Sequence, residues 1–350
     1  MKVRPFYQAH TIKFLGYNLI MKLLVLGGTQ FVGRHIVEEA LRRGHTLTLF
    51  HRGRTGADLF QNDPRVSHIL GDRKENLDLL QKDSWDAVID VSGYDPATVA
   101  QSCEALKDRV KTYAFISTIS VYAPSEEPPQ EDSPLLQFPA DQDPAVFDMK
   151  YYGELKVLCE KEVNRVFPAA GLNLRLGLQA GVWDHTDRFG DWIERIGHRS
   201  QIIVPGGDPM PWQMIDALDT ARFTLHCLEK NIFGTYNVDG PAHSMLDDLE
   251  TIRQVVNPDC QFIEKSPEWL AAHEVAPWQE LALWIPVEAR GTFPAVVKTS
   301  LAEGVGLTTR PRRDTIADAW KWLQTMDFDR ERPRKSGLPR AKEDALLNNP

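Results

Sequence analysis

A glycine-rich turn between a short apolar run and an amphipathic helix constrains this chain most. The apolar run Lys22–Leu26 is typical of a strand buried on both faces of a parallel sheet. It ends in Gly27-Gly28-Thr29-Gln30-Phe31-Val32-Gly33, and apolar residues then recur at helical spacing until Gly44. This order predicts the start of a Rossmann fold, whose helix N-terminus receives a pyrophosphate. Gln30 stands where a glycine is usual, so a turn without a ligand is the alternative.

The same alternation continues along the first half of the chain. Apolar runs at 47–50, 87–91 and 113–116 alternate with helical patterns near 77–80 and 99–106, which is the rhythm of βαβ units. We therefore predict an α/β fold with a Rossmann-type, doubly wound parallel sheet and a smaller, discontinuous C-terminal substrate-binding region. The predicted divisions are an N-terminal extension over 1–20, a dinucleotide-binding domain over 21–178, a mixed substrate-binding region with returning sheet elements over 179–327, and a charged tail over 328–350.

The composition disfavours several classes of protein. A formal net charge of −9, from 49 acidic and 40 basic side chains, repels phosphate backbones and makes nucleic acid a poor partner. The four cysteines form neither a CxxC pair nor a Cys/His cluster at zinc-ligand spacing. We therefore predict free thiols, no metal site and a cytoplasmic location. No apolar stretch reaches the roughly 18 residues that a membrane-spanning helix needs, so a membrane partner is not expected.

The end of the second predicted strand indicates which nicotinamide dinucleotide binds. An acid at this place binds the ribose 2′-OH of NAD, whereas a basic residue favours the 2′-phosphate of NADP. The strand here runs into His51-Arg52-Gly53-Arg54, with no acid before Asp58. Arg52 therefore predicts NADP. NAD is the alternative if the arginine is merely solvated in a loop.

Tyr152 and Lys156 stand four residues apart and share one face of a predicted helix. A neighbouring cation stabilises a phenolate, which suits a tyrosine for general acid/base chemistry. Chance often supplies this spacing in a chain with 8 tyrosines, so position is the stronger argument. Hydroxyls at 117, 118 and 120 end the preceding sheet strand, on the edge where ligands of this architecture bind.

With these residues the chain resembles the extended short-chain dehydrogenase/reductase superfamily of NAD(P)-dependent epimerases, dehydratases and reductases, from about Met21 to Leu323. The resemblance implies a catalytic triad that falls on Thr118, Tyr152 and Lys156. Tyr152 would exchange a proton with the substrate, Lys156 would hold the nicotinamide ribose and lower the tyrosine pKa, and Thr118 would orient the substrate oxygen. The implied substrate is a small molecule with a carbonyl or alcohol group.

The resemblance also implies cofactor contacts and an oligomer. Asp72 matches the acid on the adenine side, and 91–93 match the segment along the adenosine and phosphates. A homodimer would form through helices at 99–106 and 151–166. The complete set of expected cofactor-binding residues is Gly27, Gly28, Thr29, Gln30, Phe31, Val32, Gly33, Arg52, Asp72, Arg73, Val91, Ser92, Gly93 and Lys156.

Candidate substrate-binding residues are Arg175, Asp187, Arg188 and Trp212, although the tryptophan is equally well explained as hydrophobic filling. Two departures from the family narrow the substrate. Thr118 is followed by Ile-Ser rather than the Asp-Glu pair of dehydratases, which disfavours sugar 4,6-dehydration. Trp212 replaces an arginine that many nucleotide-sugar enzymes carry, so the expected substrate is sugar-like without being committed to a nucleotide sugar.

A second resemblance suggests an RNA-binding protein as the alternative to an enzyme. The chain is similar to the chloroplast stem-loop-binding group, whose Rossmann domains are associated with RNA. The shared features are the Gly-Gly-Thr-x-Phe turn and the Gly-Asp-Arg at 71–73. The retained Thr118, Tyr152 and Lys156, together with the negative net charge, favour an enzyme over this RNA-binding alternative.

Overall fold

The chain alternates strands and helices along most of its length. A computed structural model describes residues 20–145, 147–207, 211–286, 295–326 and 335–348. The strands are β1 (Lys22–Leu26), β2 (Thr46–His51), β3 (Val66–Leu70), β4 (Ala87–Asp90), β5 (Thr112–Thr118), β6 (Gly171–Leu176), β7 (Leu178–Ala180), β8 (Gln201–Pro205), β9 (Pro211–Trp212), β10 (Met214–Asp216), β11 (Gly234–Val238), β12 (His243–Ser244), β13 (Gln261–Lys265), β14 (Pro277–Trp278) and β15 (Leu281–Ala282). The helices are α1 (Phe31–Arg42), α2 (Pro96–Leu106), α3 (Tyr152–Val166), α4 (Arg188–His198), α5 (Ala217–Lys230), α6 (Met245–Val256), α7 (Pro267–Ala272), α8 (Ser300–Gly304), α9 (Arg312–Leu323) and α10 (Arg340–Asn348).

Seven of these strands form one sheet in the order β11-β6-β5-β4-β1-β2-β3, and every neighbouring pair is parallel. The chain runs outward from β1 to β3 on one side and then from β4 outward on the other. The strand order therefore reverses between β1 and β4, which is where ligands bind in open α/β sheets. The predicted doubly wound Rossmann fold is confirmed.

The apolar run of β1 is explained by burial on both sides. Leu23 and Val25 pack in the core beneath α1 and α5, whereas Leu24 and Leu26 pack in the core on the α2 and α3 side. Because successive side chains of a strand point to opposite faces, both sets must be apolar. The sequence KLLVL is thus typical of a central strand covered by helices on both faces.

A second core lies in the C-terminal part of the chain, where α4, α6 and α9 pack against one another. This core is rich in tryptophan, and Trp192 is fully buried with its indole N–H donating to the carbonyl of Ala282 at 2.7 Å. Strand β11 lies within this part of the sequence but pairs with β6 in the main sheet. The C-terminal region is therefore interleaved with the Rossmann domain in sequence.

The segment predicted to be a charged tail contains helix α10, which packs against the second core. Its Glu343 is fully buried and pairs with Arg195 at 2.5 Å and with Arg199 at 3.1 Å. The backbone N–H of Ile203 also donates to this carboxylate at 2.8 Å. Such a helix is held by charge pairing as well as by apolar contacts, so hydrophobic periodicity alone did not predict it. Residues 1–19, within the predicted extension, and 327–334 lie outside the described residues.

Across the described ranges, every helix is too short or too polar to cross a bilayer.

Candidate active site

The glycine turn places the N-terminus of α1 at the strand-order reversal. Gly27 and Gly28 have φ values of +107° and +90°, a region that favours glycine. A Cβ on Gly27 would lie 2.7 Å from Val91 Cγ2, and one on Gly33 would lie 3.0 Å from the Cα of Gly28. The turn and the start of the helix thus approach each other closely. Gln30 precedes the helix without capping it through its side chain, and such an uncapped N-terminus fits a pyrophosphate.

The expected adenosine-side residues differ in where their side chains lie. Arg52 is exposed directly after β2, and Asp72 accepts the backbone N–H of Lys74 at 3.0 Å. Arg73, expected to contact cofactor, is instead paired with Asp90 at the end of β4, with two N–O distances of 2.7 Å. Burial would raise the pKa of Asp90, but the Arg73 guanidinium holds it below its usual value. Arg73 therefore fixes the end of β4.

Lys156 lies at the carboxyl ends of β4 and β5, with its side chain buried. Its Nζ donates to the carbonyl of Gly93 at 2.7 Å and to the carbonyl of Ile116 at 2.6 Å. The same atom lies 3.9 Å from the centroid of the Phe115 ring. Burial lowers the pKa of Lys156 to about 8. A protonated lysine has three N–H donors, and the two carbonyls accept two of them.

Tyr152 and Thr118 come together at the same sheet edge. Thr118 is the last residue of β5, and Tyr152 is the first residue of α3. Burial raises the pKa of Tyr152 to about 12, and Tyr94 acts in the same direction, whereas hydrogen bonding with the Thr118 side chain opposes the rise. The structure thus gathers the three residues predicted to be catalytic at one end of the sheet. A nearby positive charge is needed to lower the pKa of the phenol toward neutral pH.

Gly153 was not singled out from the sequence, yet it sets the position of the tyrosine. A Cβ at Gly153 would lie only 2.1 Å from the carbonyl oxygen of Ser120. Only a glycine lets the first turn of α3 approach the backbone after β5 so closely. The signal in the sequence was the glycine inside the Tyr-x-x-x-Lys spacing, where a helix-forming residue would otherwise be favoured.

The exposed ring of Tyr94 lies beside Tyr152, and that of Phe147 lies beside Tyr94; the sequence analysis did not predict this pair. Tyr94 is 49% exposed, Phe147 46% and Met149 64%. The Tyr94 ring centroid lies 6.3 Å from that of Tyr152 and 6.4 Å from that of Phe147. The Nζ of Lys156 is 5.5 Å from the same Tyr94 centroid. We call Tyr94 and Phe147 the aromatic wall. Contiguous exposed apolar side chains of this kind mark binding surfaces.

The four candidate substrate-binding residues do not lie together on an open surface. Arg175 is 4% exposed and ion-paired with Glu160 at 2.7 Å. Trp212 is buried in the second core, and Asp187 is buried and accepts the backbone N–H of Lys335. Only Arg188 is half-buried, and its charge acts on Tyr152 by lowering the phenol pKa. Of this set, Arg188 alone bears electrostatically on the phenol.

Comparison with known families places these features in context. The model of the NAD dependent epimerase/dehydratase family matches residues 23–239 of the 350-residue chain. The match includes the glycine turn, the strand end at Thr118 and the Tyr152–Lys156 helix.

Solved structures are similar to this chain in fold. UDP-glucuronic acid 4-epimerase from Bacillus cereus, in complex with NAD, is 19% identical with a TM-score of 0.65, covering 87% of this chain and 99% of that one. UDP-N-acetylglucosamine 4-epimerase from Methanobrevibacter ruminantium M1, in complex with UDP-N-acetylmuramic acid, is 17% identical with a TM-score of 0.67, at coverages of 87% and 99%.

A curated relative matches a smaller part of the chain. The chloroplast stem-loop binding protein of 41 kDa b from Arabidopsis thaliana is 29% identical over 136 residues, which are 35% of this chain and 36% of that protein. The chain therefore spans little more than a third of the length of this relative.

Proposed function

The chain belongs to the NAD dependent epimerase/dehydratase family, and we propose that it inverts a secondary alcohol carbon of a sugar-like small molecule. The observation that carries this proposal is the meeting of Thr118, Tyr152 and Lys156 at the carboxyl end of the sheet, where β5 ends and α3 begins. A phenol, a hydroxyl and a buried ammonium at one place are the groups that proton exchange on a carbinol oxygen requires.

In the proposed mechanism, the same three groups serve both the oxidation of the substrate alcohol and the reduction of the resulting carbonyl. Bound NAD supplies an acceptor, and then a donor, for the hydride of the substrate carbon. Tyr152, as phenolate, would take the proton of the carbinol oxygen as the alcohol is oxidised and would return it as the carbonyl is reduced from the opposite face. Thr118 holds that oxygen through its hydroxyl. Lys156 keeps two N–H groups on backbone carbonyls, which leaves its third N–H for the nicotinamide ribose and its charge for the phenolate.

An assay by NMR tests the reaction itself. The protein is incubated with NAD and, separately, with UDP-glucuronic acid, UDP-N-acetylglucosamine and methyl glucoside, and the ring protons are followed. We expect one of these to convert into an epimer without net accumulation of reduced cofactor, because inversion returns the hydride. Reduced cofactor accumulating in step with product would identify a dehydrogenase instead.

We propose NAD rather than NADP as the cofactor. The preference for NADP predicted from Arg52 finds no support in the family or in the structures solved with NAD. Arg52 is then a solvated residue beyond β2, and Arg52→Ala should change NAD affinity by less than about twofold, as exposed charges contribute little. Fluorescence titration with reduced cofactors measures this, with Lys82→Ala as the exposed control. Tighter binding of NADPH than NADH, lost in Arg52→Ala, would restore the original prediction.

The aromatic wall supports a substrate with a ring. An alcohol whose oxygen reaches Tyr152 would lie against Tyr94, and the C–H face of a sugar ring packs well on an aromatic surface. We expect Tyr94→Ala to reduce kcat/KM about 10- to 100-fold, from the ~1.5–3 kcal/mol of a buried apolar side chain, while Tyr94→Phe stays near wild type. Steady-state kinetics give the result, and NAD affinity serves as the control. Equal kcat/KM values for Tyr94→Ala and wild type would show that the aromatic wall does not contact the substrate.

The RNA-binding alternative is not favoured. The relative aligns with this chain over 136 residues at 29% identity, a stretch too short to carry over the activity of the whole protein. The net charge of −9 also opposes binding to a phosphate backbone.

A homodimer and a cytoplasmic location stay predictions. The large exposed apolar side chains of the described residues all lie outside α2 and α3, so an interface on these helices would use small and charged side chains together with half-buried ones such as Leu158. The four cysteines are buried as thiols, which agrees with the reducing compartment proposed.

A further inference from the structure

Glu160 lies on the same face of α3 as the two residues predicted to be catalytic. It follows Lys156 by four residues and Tyr152 by eight, a spacing that keeps side chains on one side of a helix. It is 3% exposed. The hydroxyl of Ser117 donates to its Oε1 at 2.5 Å. Ser117 stands between Ile116, whose carbonyl holds Lys156, and Thr118.

The charge of Glu160 is balanced by Arg175. The guanidinium donates from Nε at 3.0 Å and from Nη2 at 2.7 Å to the two carboxylate oxygens. Its Nη1 donates to the hydroxyl of Tyr122 and to the carbonyl of Glu131, both at 2.9 Å. A buried ion pair is tolerated only when such additional hydrogen bonds satisfy its remaining atoms.

The hydrogen bonds continue to the edge of the sheet. Tyr122 donates to the side-chain carbonyl of Asn237 on β11 at 2.6 Å. The backbone N–H of Asn237 donates to the carboxylate of Glu131 at 2.8 Å. One connected network therefore joins β5, α3, β6, β11 and the loop that follows β5.

We infer that Glu160, held by Arg175, is a positioning residue that fixes the end of β5 against α3 and keeps Lys156 in its charged, cofactor-binding form. It fixes β5 through Ser117, so that Thr118 and the carbonyl of Ile116 keep their places relative to Tyr152 and Lys156. This inference rests on the proposed role of Lys156. It also gives Arg175 a place in the protein other than substrate contact.

The charged groups around Lys156 support the inference that Glu160 keeps this lysine protonated. Burial lowers the pKa of Lys156, and the acidic groups around it oppose this shift. Cys159 and Glu160 on the same helix and Asp90 on β4 raise the pKa of Lys156, whereas Arg73, after β3, lowers it. The rings of Tyr94 and Phe115 also face its ammonium group. Asp90 is already neutralised by Arg73. Removing the charge of Glu160 would also leave the positive charge of Arg175 without its counter-ion.

The test is the pH dependence of NAD affinity, which needs no substrate. Above its pKa the lysine amine has only two N–H groups, and the two backbone carbonyls use both. We therefore expect wild-type affinity to fall as the pH rises through about 8. In Glu160→Gln this fall should begin at least about half a pH unit lower. Glu162→Gln, an exchange of a half-buried carboxylate on the same helix, should leave the profile unchanged.

Ser117→Ala tests the positioning part separately and keeps the ion pair intact, so it also serves if Glu160→Gln does not fold. Loss of one hydrogen bond should weaken NAD binding about 3- to 10-fold at pH 7 while the pH of the fall stays as in wild type. Fluorescence titration of both variants from pH 6 to 9.5 gives the answer. An unchanged pH profile in a folded Glu160→Gln protein, or unchanged affinity in Ser117→Ala, would overturn the inference. Either result is independent of whether the protein inverts a sugar.

Discussion

Tyr152→Phe is expected to lower turnover by about 100-fold or more, the usual loss when an acid/base group is removed, while the fold and NAD affinity persist. The substitution removes the oxygen proposed to exchange the proton and keeps the ring that packs near Tyr94. Thr118 keeps its hydrogen bond to Ser120 at 3.2 Å, so the end of β5 should not shift. Epimerisation followed by NMR measures turnover, and circular dichroism and NAD titration report on the other two properties.

The neighbouring tyrosine provides a matched control. Tyr151 precedes α3 and packs against Phe138, in the segment between β5 and α3, with 5.4 Å between ring centroids. Tyr151→Phe should therefore retain turnover within about twofold. If Tyr152→Phe turned over substrate at a normal rate, the Tyr-x-x-x-Lys spacing would be the chance occurrence that a chain with 8 tyrosines allows.

The sequence predicted those parts of the fold that periodicity and glycine geometry determine. Strand β1 reads as a continuous apolar run because it is covered on both faces. The turn after it needs Gly27 and Gly28 because both have positive φ values. Such local requirements leave a mark on neighbouring residues, so they can be recognised without tertiary information. The triad belongs to this class, because a helix and a strand end bring Thr118, Tyr152 and Lys156 together.

The roles of the arginines were not predictable in the same way. Arg73 and Arg175 were expected to bind ligands, and each is paired with a buried carboxylate, on Asp90 and Glu160 respectively. A sequence shows that an arginine is present but does not show which acid it meets across the fold. The same limit applies to helix α10, whose buried Glu343 meets Arg195 from far along the chain. Tertiary charge pairing therefore sets the surroundings of these side chains, and the sequence alone does not show it.

The aromatic wall was missed for a related reason. Tyr94 follows β4 as an ordinary aromatic residue, and the sequence does not show that it is left exposed beside Tyr152. Its contact with Phe147 joins residues that are more than fifty positions apart in the chain. Only the packed structure distinguishes an aromatic residue that faces a ligand from one that fills a core.

Lys156→Met should impair cofactor binding and turnover together. The methionine keeps a similar length and apolar character, but it removes the N–H proposed for the nicotinamide ribose and the charge proposed to stabilise the Tyr152 phenolate. A hydrogen bond from a charged group contributes about 1.5–3 kcal/mol, so NAD affinity should fall about 10- to 100-fold. Turnover at saturating NAD should fall a further 100-fold or so, because burial raises the pKa of the Tyr152 phenol to about 12 and the variant lacks the cation proposed to stabilise its phenolate.

The pH profile distinguishes this role from general damage to the site. In the wild type, the pKa of about 8 for Lys156 makes the protonated, NAD-binding form dominant below pH 8, so affinity should fall as the pH rises through that value. Lys156→Met has no group to titrate there, and its weaker affinity should be constant from pH 7 to 9. Lys161→Met, on the exposed side of α3, should behave as wild type. A Lys156→Met protein whose affinity still fell through pH 8 would assign the titration to another group and leave Lys156 holding only the carbonyls of Gly93 and Ile116.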